Sequence, residues 1–150
     1  MNESSKIVIR EGSIADCLAV SEGIPEFSDG KYGYDVYQQR LSGAKHLILV
    51  AFDGTKPVGF KVGYQKDEDG SFYSWMRGVL PDYRRLKIAK QLADFQEDWA
   101  KKNGYDAITF KTRNYLKPML IFGLSNGFYI ESVEPQPRLE DYRIILKKRL

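Results

Sequence analysis

Val79-Leu80-Pro81-Asp82-Tyr83-Arg84-Arg85-Leu86-Lys87-Ile88-Ala89-Lys90 is the stretch that decides how this 150-residue chain is read. Val79 and Leu80 close an apolar and aromatic run from Phe72 that predicts a strand. Pro81 stops it, having no amide to donate to a ladder. From Ile88 onward, Ile88, Leu92, Phe95 and Trp99 recur at helical spacing and predict one face of a long amphipathic helix. That helix is expected from about Arg84 to Asn103, with Gly104 closing it. Arg84, Arg85, Lys87 and Lys90 then crowd its N-terminus. Cations there oppose the helix dipole, so their placement needs a reason, and a bound phosphate supplies one. The alternative is a solvated basic turn, and charge alone weighs the two equally.

Upstream, Lys6 to Arg10 predicts a first strand. Ser13 can cap a helix carrying Ile14, Cys17, Leu18 and Ile24, ended by Pro25. Glu26 to Gly33 reads as a loop, and Tyr34 to Leu41 as a second short helix closed by Gly43. Leu47 to Phe52 is a continuous apolar strand, turned by Asp53-Gly54 into Pro57 to Gln65. There Val58, Phe60, Val62 and Tyr64 are expected on one face. A polar turn at residues 66–70 returns the chain into the Phe72 to Leu80 strand. Downstream, Ala107 to Thr112 predicts a strand reached by a crossover and so parallel to its predecessor. Its β-α-β unit puts the helix N-terminus at the carboxyl end of a strand, where ligands bind in such sheets. Leu116 to Asn126 predicts another helix, ended by Gly127, and Tyr129 to Val133 and Arg143 to Lys148 two final strands around Pro135-Gln136-Pro137. The class is α+β: a mixed, largely antiparallel sheet with a central parallel β-α-β step flanked by helices.

Composition narrows the function classes. With 43% apolar and 29% charged residues, the chain reads as one folded domain, residues 1–150, rather than a disordered one. Ten Tyr and eight Phe suggest packed sheet faces or an aromatic-lined pocket. A net charge of +3 is too small to imply nucleic acid without a patch. Cys17 is the only cysteine, which excludes an intrachain disulfide and favours a reducing compartment. It reads as a small buried hydrophobe. His46 is the only histidine, so no multi-histidine metal site is available. The N-terminal MNESSKIVIREG has no apolar run of signal-peptide length, and a cytoplasmic protein is expected.

Val79-x-Pro81-x-x-Arg84, followed by Arg84-x-x-Lys87-x-Ala89, resembles the acetyl-CoA motif of the GNAT superfamily of N-acetyltransferases. The family pattern is Gln/Arg-x-x-Gly-x-Gly/Ala, whose amides cradle the pyrophosphate of CoA. Arg84 and Ala89 match it, and Lys87 stands where the family usually has glycine. Lys111-Thr112-Arg113-Asn114, then Met119-Leu120, then Gly127-Phe128 resemble the family's second helix region. The order of elements agrees over nearly the whole chain.

The resemblance implies a GNAT, or acyl-CoA N-acyltransferase, fold and transfer of an acetyl group from acetyl-CoA to an amine in a ternary complex. It implies cofactor contacts from Val79, Leu80, Arg84, Arg85, Leu86, Lys87, Ile88, Ala89, Lys90 and Asn114, the last also readable as an N-cap. It implies a backbone amide, Val79 or Leu80, polarising the thioester carbonyl. Family members often carry a glutamate on the fourth strand as base, and Phe72 to Arg77 contains none. Glu26, on the loop expected to line the acceptor cleft, and Tyr73 are the substitutes, so the expected catalytic set is Glu26, Tyr73 and Leu80. Gly123 occupies the position of the family's tyrosine acid, which removes that exit for the thiolate. Arg77 is odd in an apolar strand and could read an acidic acceptor or close a buried ion pair. The expected partners are acetyl-CoA and an amine acceptor, with a homodimer left open and no metal, nucleic acid or membrane expected. Two alternatives remain: a catalytically silent acyl-CoA-binding or sensing domain, and a nucleic-acid module using Arg84, Arg85, Lys87 and the basic end Lys147-Lys148-Arg149. The second lacks any module signature.

Overall fold

The computed structural model of the protein describes residues 6–150, so part of the N-terminal reading, at residues 1–5, lies outside the described residues. The strands are β1 Ile7–Glu11, β2 His46–Asp53, β3 Lys56–Tyr64, β4 Ser71–Val79, β5 Ala107–Arg113, β6 Tyr129–Glu134 and β7 Arg143–Arg149. The helices are α1 Ile14–Ser21, α2 Tyr34–Leu41, α3 Ile88–Lys102 and α4 Lys117–Ser125. Pro25–Phe27, Pro81–Tyr83 and Leu139–Asp141 form single 3-10 turns. Local chemistry sets these bounds. Ser13 and Asp16 make a reciprocal capping box at the start of α1. Gly54, with φ +63, turns β2 into β3.

The seven strands form one sheet in the order β1-β2-β3-β4-β5-β7-β6. Every neighbouring pair is antiparallel except β4–β5, which is parallel. The α+β architecture expected from the sequence is therefore the one observed. The parallel ladder is short: it joins Ser71 to Ala107, Phe72 to Ile108 and Tyr73 to Thr109, and then stops. Beyond Tyr73, β4 continues to Val79 without β5 beside it, so the sheet splits along this seam.

Helices cover both faces. Cys17 and Val20 of α1, with Tyr37 and Leu41 of α2, pack on Phe60, Val62, Tyr64 and Met76. Ile88, Leu92 and Ala100 of α3 pack on the other face against Leu47, Leu49, Phe72 and Ile108. Gln96 completes the buried stripe of α3, whereas Phe95, expected on that stripe, is exposed. Burial lifts the Cys17 thiol to about 12, as suits an inert core cysteine. His46 opens β2 with its ring Nδ1 2.9 Å from the Ala44 carbonyl oxygen, a local contact.

Two bulges change which side chains face which way. In the β2–β3 register Ala51 lies opposite Gly59 and Phe52 opposite Pro57, so Val58 is the extra residue. Val58 therefore joins the α3-side core, away from Phe60, Val62 and Tyr64. In β3–β4, Val62 lies opposite Met76 and Gly63 opposite Ser74, which makes Trp75 the extra residue. A bulge inverts the alternation of everything after it. Arg77 is thereby turned to the α3–α4 face, where regular alternation from Phe72 would have put Met76. Among the described residues no helix is long and apolar enough to cross a membrane.

Gly63 permits this bulge to close. A Cβ there would lie 2.4 Å from Phe72 Cε2 and 2.8 Å from the Tyr73 carbonyl oxygen. Gly63→Ala should therefore lower the unfolding free energy by about 1–3 kcal/mol, the usual cost of overpacking. Urea denaturation reads this, and undiminished stability would show that β3 and β4 can part at the bulge without cost.

Candidate active site

The seam between β4 and β5 opens into a cavity of about 740 Å³ on the α3–α4 side. Its wall brings together Glu26, Val79, Arg84, Arg85, Lys87, Ile88, Ala89 and Lys90 of the residues singled out in the sequence. Leu80, Leu86, Tyr73 and Asn114 lie outside that wall. Met119 and Phe122 of α4 close the opposite side, and Lys61 and Arg77 stand on the sheet floor.

The basic stretch is not the first turn of a helix. Helix α3 starts at Ile88, four residues later than the spacing suggested, and Arg84 is extended after the Pro81–Tyr83 turn. Arg85 and Lys87 both adopt left-handed backbone, at φ +69 and +62. Such a conformation costs an L-residue about 1–2 kcal/mol. Lys87 is the N-cap, and no side chain caps the helix. The first helical bond runs from Gln91 N–H to the Lys87 carbonyl oxygen at 3.0 Å. The amides of Ile88, Ala89 and Lys90 thus have no intrahelical acceptor, and all three residues line the cavity. With no acidic residue in the first turn of this 15-residue helix, its N-terminus stays positive.

The turn is braced from outside. Tyr83 Oη donates to Asp53 Oδ2 at 2.6 Å, tying it to the β2–β3 hairpin. Arg84 Nε donates to the Val79 carbonyl oxygen at 3.1 Å, and its other end stands 4.0 Å from Glu26 Oε1. Glu26 sits on the 3-10 turn after α1 rather than in an irregular loop, and its carboxylate is exposed. Lys90 pairs with Asp94 at 2.6 Å, which raises its pKa.

The two candidate amides differ. Leu80 N–H already donates to the Val58 carbonyl oxygen at 2.9 Å, so it is engaged in the sheet. Successive N–H groups of a strand alternate sides. Val79 N–H therefore points to the β5 edge, where the ladder has ended, and of the two it is the amide directed at the cleft. Tyr73 lies on the opposite face, edge-on to Tyr64, and burial together with Tyr64 raises its pKa. Asn114 is not the N-cap of α4, a position held by Leu116. Its Nδ2 donates to the Leu139 carbonyl oxygen at 3.2 Å and so anchors the turn before β7. At Gly123 a Cβ would meet Phe110 Cζ at 2.8 Å and Leu146 Cδ2 at 3.2 Å, so a side chain there would enter the core.

The floor carries two cations, of which sequence reasoning noticed only Arg77. Lys61 is 9% exposed and stands opposite Arg77 in the register. Burial first, and Arg77 second, push the Lys61 ammonium down to about 7, against an opposite pull from Glu97. Burial lowers Arg77 to about 10. Arg77 is only half-buried by area and lines the cavity. Its guanidinium donates to the Ser74 carbonyl oxygen at 3.2 Å and lies 5.2 Å from the Phe110 ring centroid. Among the described residues its Nε has no partner, and neither have Ser74 Oγ and Gln96 Nε2 nearby. Among the described residues no three His, Cys, Asp or Glu side chains converge as a metal site requires.

Three amides without intrahelical acceptors beside Arg84, Arg85 and Lys87 are suited to an anion such as a phosphate. The sequence model of the Acetyltransferase (GNAT) family matches residues 15–128, and the chain belongs to that family. No curated protein matches the chain by sequence. Among solved structures, the ribosomal-protein-S18-alanine N-acetyltransferase of Escherichia coli superposes with a TM-score of 0.80 at 14% identity, covering 95% of this chain and 93% of that one. A GCN5-related N-acetyltransferase from Kribbella flavida gives 0.77 at 18% identity, over 97% and 99% of the two chains. The PaiA N-acetyltransferase of Thermoplasma acidophilum, solved in complex with coenzyme A, gives 0.71 at 20% identity, over 96% and 99%. These likenesses show the GNAT fold.

Lys87 holds a backbone conformation that glycine adopts freely. Lys87→Gly should raise the unfolding free energy by up to about 1 kcal/mol, the relieved strain less glycine's entropy cost. Thermal or urea denaturation checks this, and a destabilised variant would mean that the lysine side chain itself holds the turn.

Proposed function

We propose that this protein, as one domain over residues 1–150, transfers an acetyl group from acetyl-CoA to a primary amine of a small molecule or peptide. Transfer is by direct attack in a ternary complex. The observation that carries the reading is the set of three unpaired amides, Ile88 to Lys90, opening with Arg84, Arg85 and Lys87 into the same cavity as the free edge of β4. Those amides and cations suit the pyrophosphate, and the free edge suits the pantetheine arm, whose amides can pair with it as a strand would. Val79 N–H then serves as the preorganised donor to the thioester oxygen. Attack by the uncharged amine forms the amide bond, the CoA thiolate leaves, and the amine's proton passes to a base.

Glu26 is the favoured base. Its carboxylate lies at the cavity wall, whereas Tyr73 lies outside it and its pKa is raised. A catalytically silent acyl-CoA-binding domain is the second reading, favoured by Gly123 facing the core and by the lack of a glutamate on β4.

Calorimetry of the intact protein with CoA and acetyl-CoA should show binding that weakens with added salt, since rim charges are screened. In Lys87→Gly the affinity should fall by about 1 kcal/mol, one exposed charge-assisted contact. Folded protein that binds neither ligand would overturn the reading. On a confirmed amine, Glu26→Gln should lower kcat and kcat/KM together by about 10²–10⁴-fold, with a small change in KM. A raised KM with kcat intact would make Glu26 an attractor of the cationic amine only. Full activity in both Glu26→Gln and Tyr73→Phe would leave water as the base.

A further inference from the structure

The cavity has a second positive end. Lys61 and Arg77 stand opposite each other on its floor, while Arg84, Arg85 and Lys87 occupy its exposed rim. Like charges side by side in a protein interior repel, and each has lost hydration. Their complement of carboxylates is short. Glu97 acts on Lys61 but is bound at 2.9 Å to Lys148, and among the described residues no carboxylate acts on Arg77. Lys61 and Lys148 thus share one carboxylate while Arg77 has none, and among the described residues the Arg77 Nε is left buried without an acceptor. A pair retained only for stability would do better as two apolar residues. A charge deficit open to a ligand cavity is what an anion-binding floor requires.

The anion's source follows from the two ends. A ligand gripped by its phosphates at the rim delivers its far end to the interior, and in a CoA thioester that end is the acyl group. We propose that this site, beyond acetyl-CoA, also takes acyl-CoA thioesters whose acyl chain ends in a carboxylate, such as succinyl, and holds them more tightly than thioesters of uncharged chains of the same length, with Arg77 and Lys61 receiving the carboxylate. The inference rests on the acyl-CoA reading above and names the acyl class. Arg77 suits a carboxylate because the Phe110 ring and the Ser74 carbonyl fix its planar fork. Lys61 supplies the adjoining point charge, and a carboxylate beside it favours the protonated amine.

The test compares CoA, acetyl-CoA, butyryl-CoA and succinyl-CoA by calorimetry on the intact protein. Butyryl matches succinyl in chain length and lacks only the charge. Succinyl-CoA should bind about tenfold or more tightly than butyryl-CoA, as a buried charge-assisted contact allows. Arg77→Met and, separately, Lys61→Met should each shrink that ratio, and either variant alone is informative if the other does not fold. Equal affinity for the two thioesters, in wild-type protein that binds CoA, overturns the inference and leaves the CoA reading standing. A preference unchanged by both substitutions removes these residues from it. Failure to bind CoA itself overturns the reading beneath.

Discussion

The site depends on where the β4–β5 ladder ends. Three parallel pairs hold the strands together at Ser71 to Tyr73, and the remaining six residues of β4 run on paired with β3 only, without β5. A strand edge inside a protein carries backbone groups that must be satisfied by something. Here the sheet does not satisfy them, and helices α3 and α4 stand apart over the gap instead of sealing it. The free Val79 amide, the room for a ligand arm and the opening onto the cationic floor are all consequences of that one interruption.

The rim bears strain in support of the same arrangement. Two left-handed residues separated by Leu86 delay the helix until Ile88, and that delay aims three amides into the gap. Strained backbone persists where surroundings over-determine it. The Tyr83–Asp53 hydrogen bond and the Arg84–Val79 contact supply that restraint from two different strands. The exposed Arg84–Glu26 pair adds little to stability. Its interest is positional, since it joins the turn after α1 to the cationic rim.

Much of this was legible in the sequence, and the reasons are local. Pro81 marked the end of β4, glycine turns marked the hairpins, and period-3.6 apolar spacing found α3. The start of α3 was misplaced because Arg84, Arg85, Leu86 and Lys87 are good helix formers, and periodicity carries no trace of a positive φ. Bulges were equally invisible: an extra residue at Val58 or Trp75 leaves composition unchanged yet inverts every side chain beyond it. Lys61 was missed for a related reason. Alternation reads a lysine between Phe60 and Val62 as solvent-facing, and only the helix packed over that face buries it. Asn114 has the composition of a cap and the geometry of a loop anchor, a distinction set by Leu139, 25 residues away.

The strand order also bears on how the chain assembles. Strands β2, β3 and β4 are joined by short turns and pair in sequence, and β6 and β7 form a second local meander onto which β5 pairs. The β2–β3–β4 meander and the β6–β7 hairpin form through contacts near in sequence, which is fast, and β5 closes onto β7 around α4 through seven ladder positions. Joining β4 to β5 needs closure around the whole of α3 for only three ladder positions, so its loop-closure cost is met by few contacts. The halves are expected to dock late and to part first in sub-global opening. A ligand that bridges the seam binds only the docked state, and mass action then raises the free energy of that opening. Slowed amide exchange at the ladder positions Ser71 to Tyr73 and Ala107 to Thr109 would register its presence away from the side chains that line the cavity.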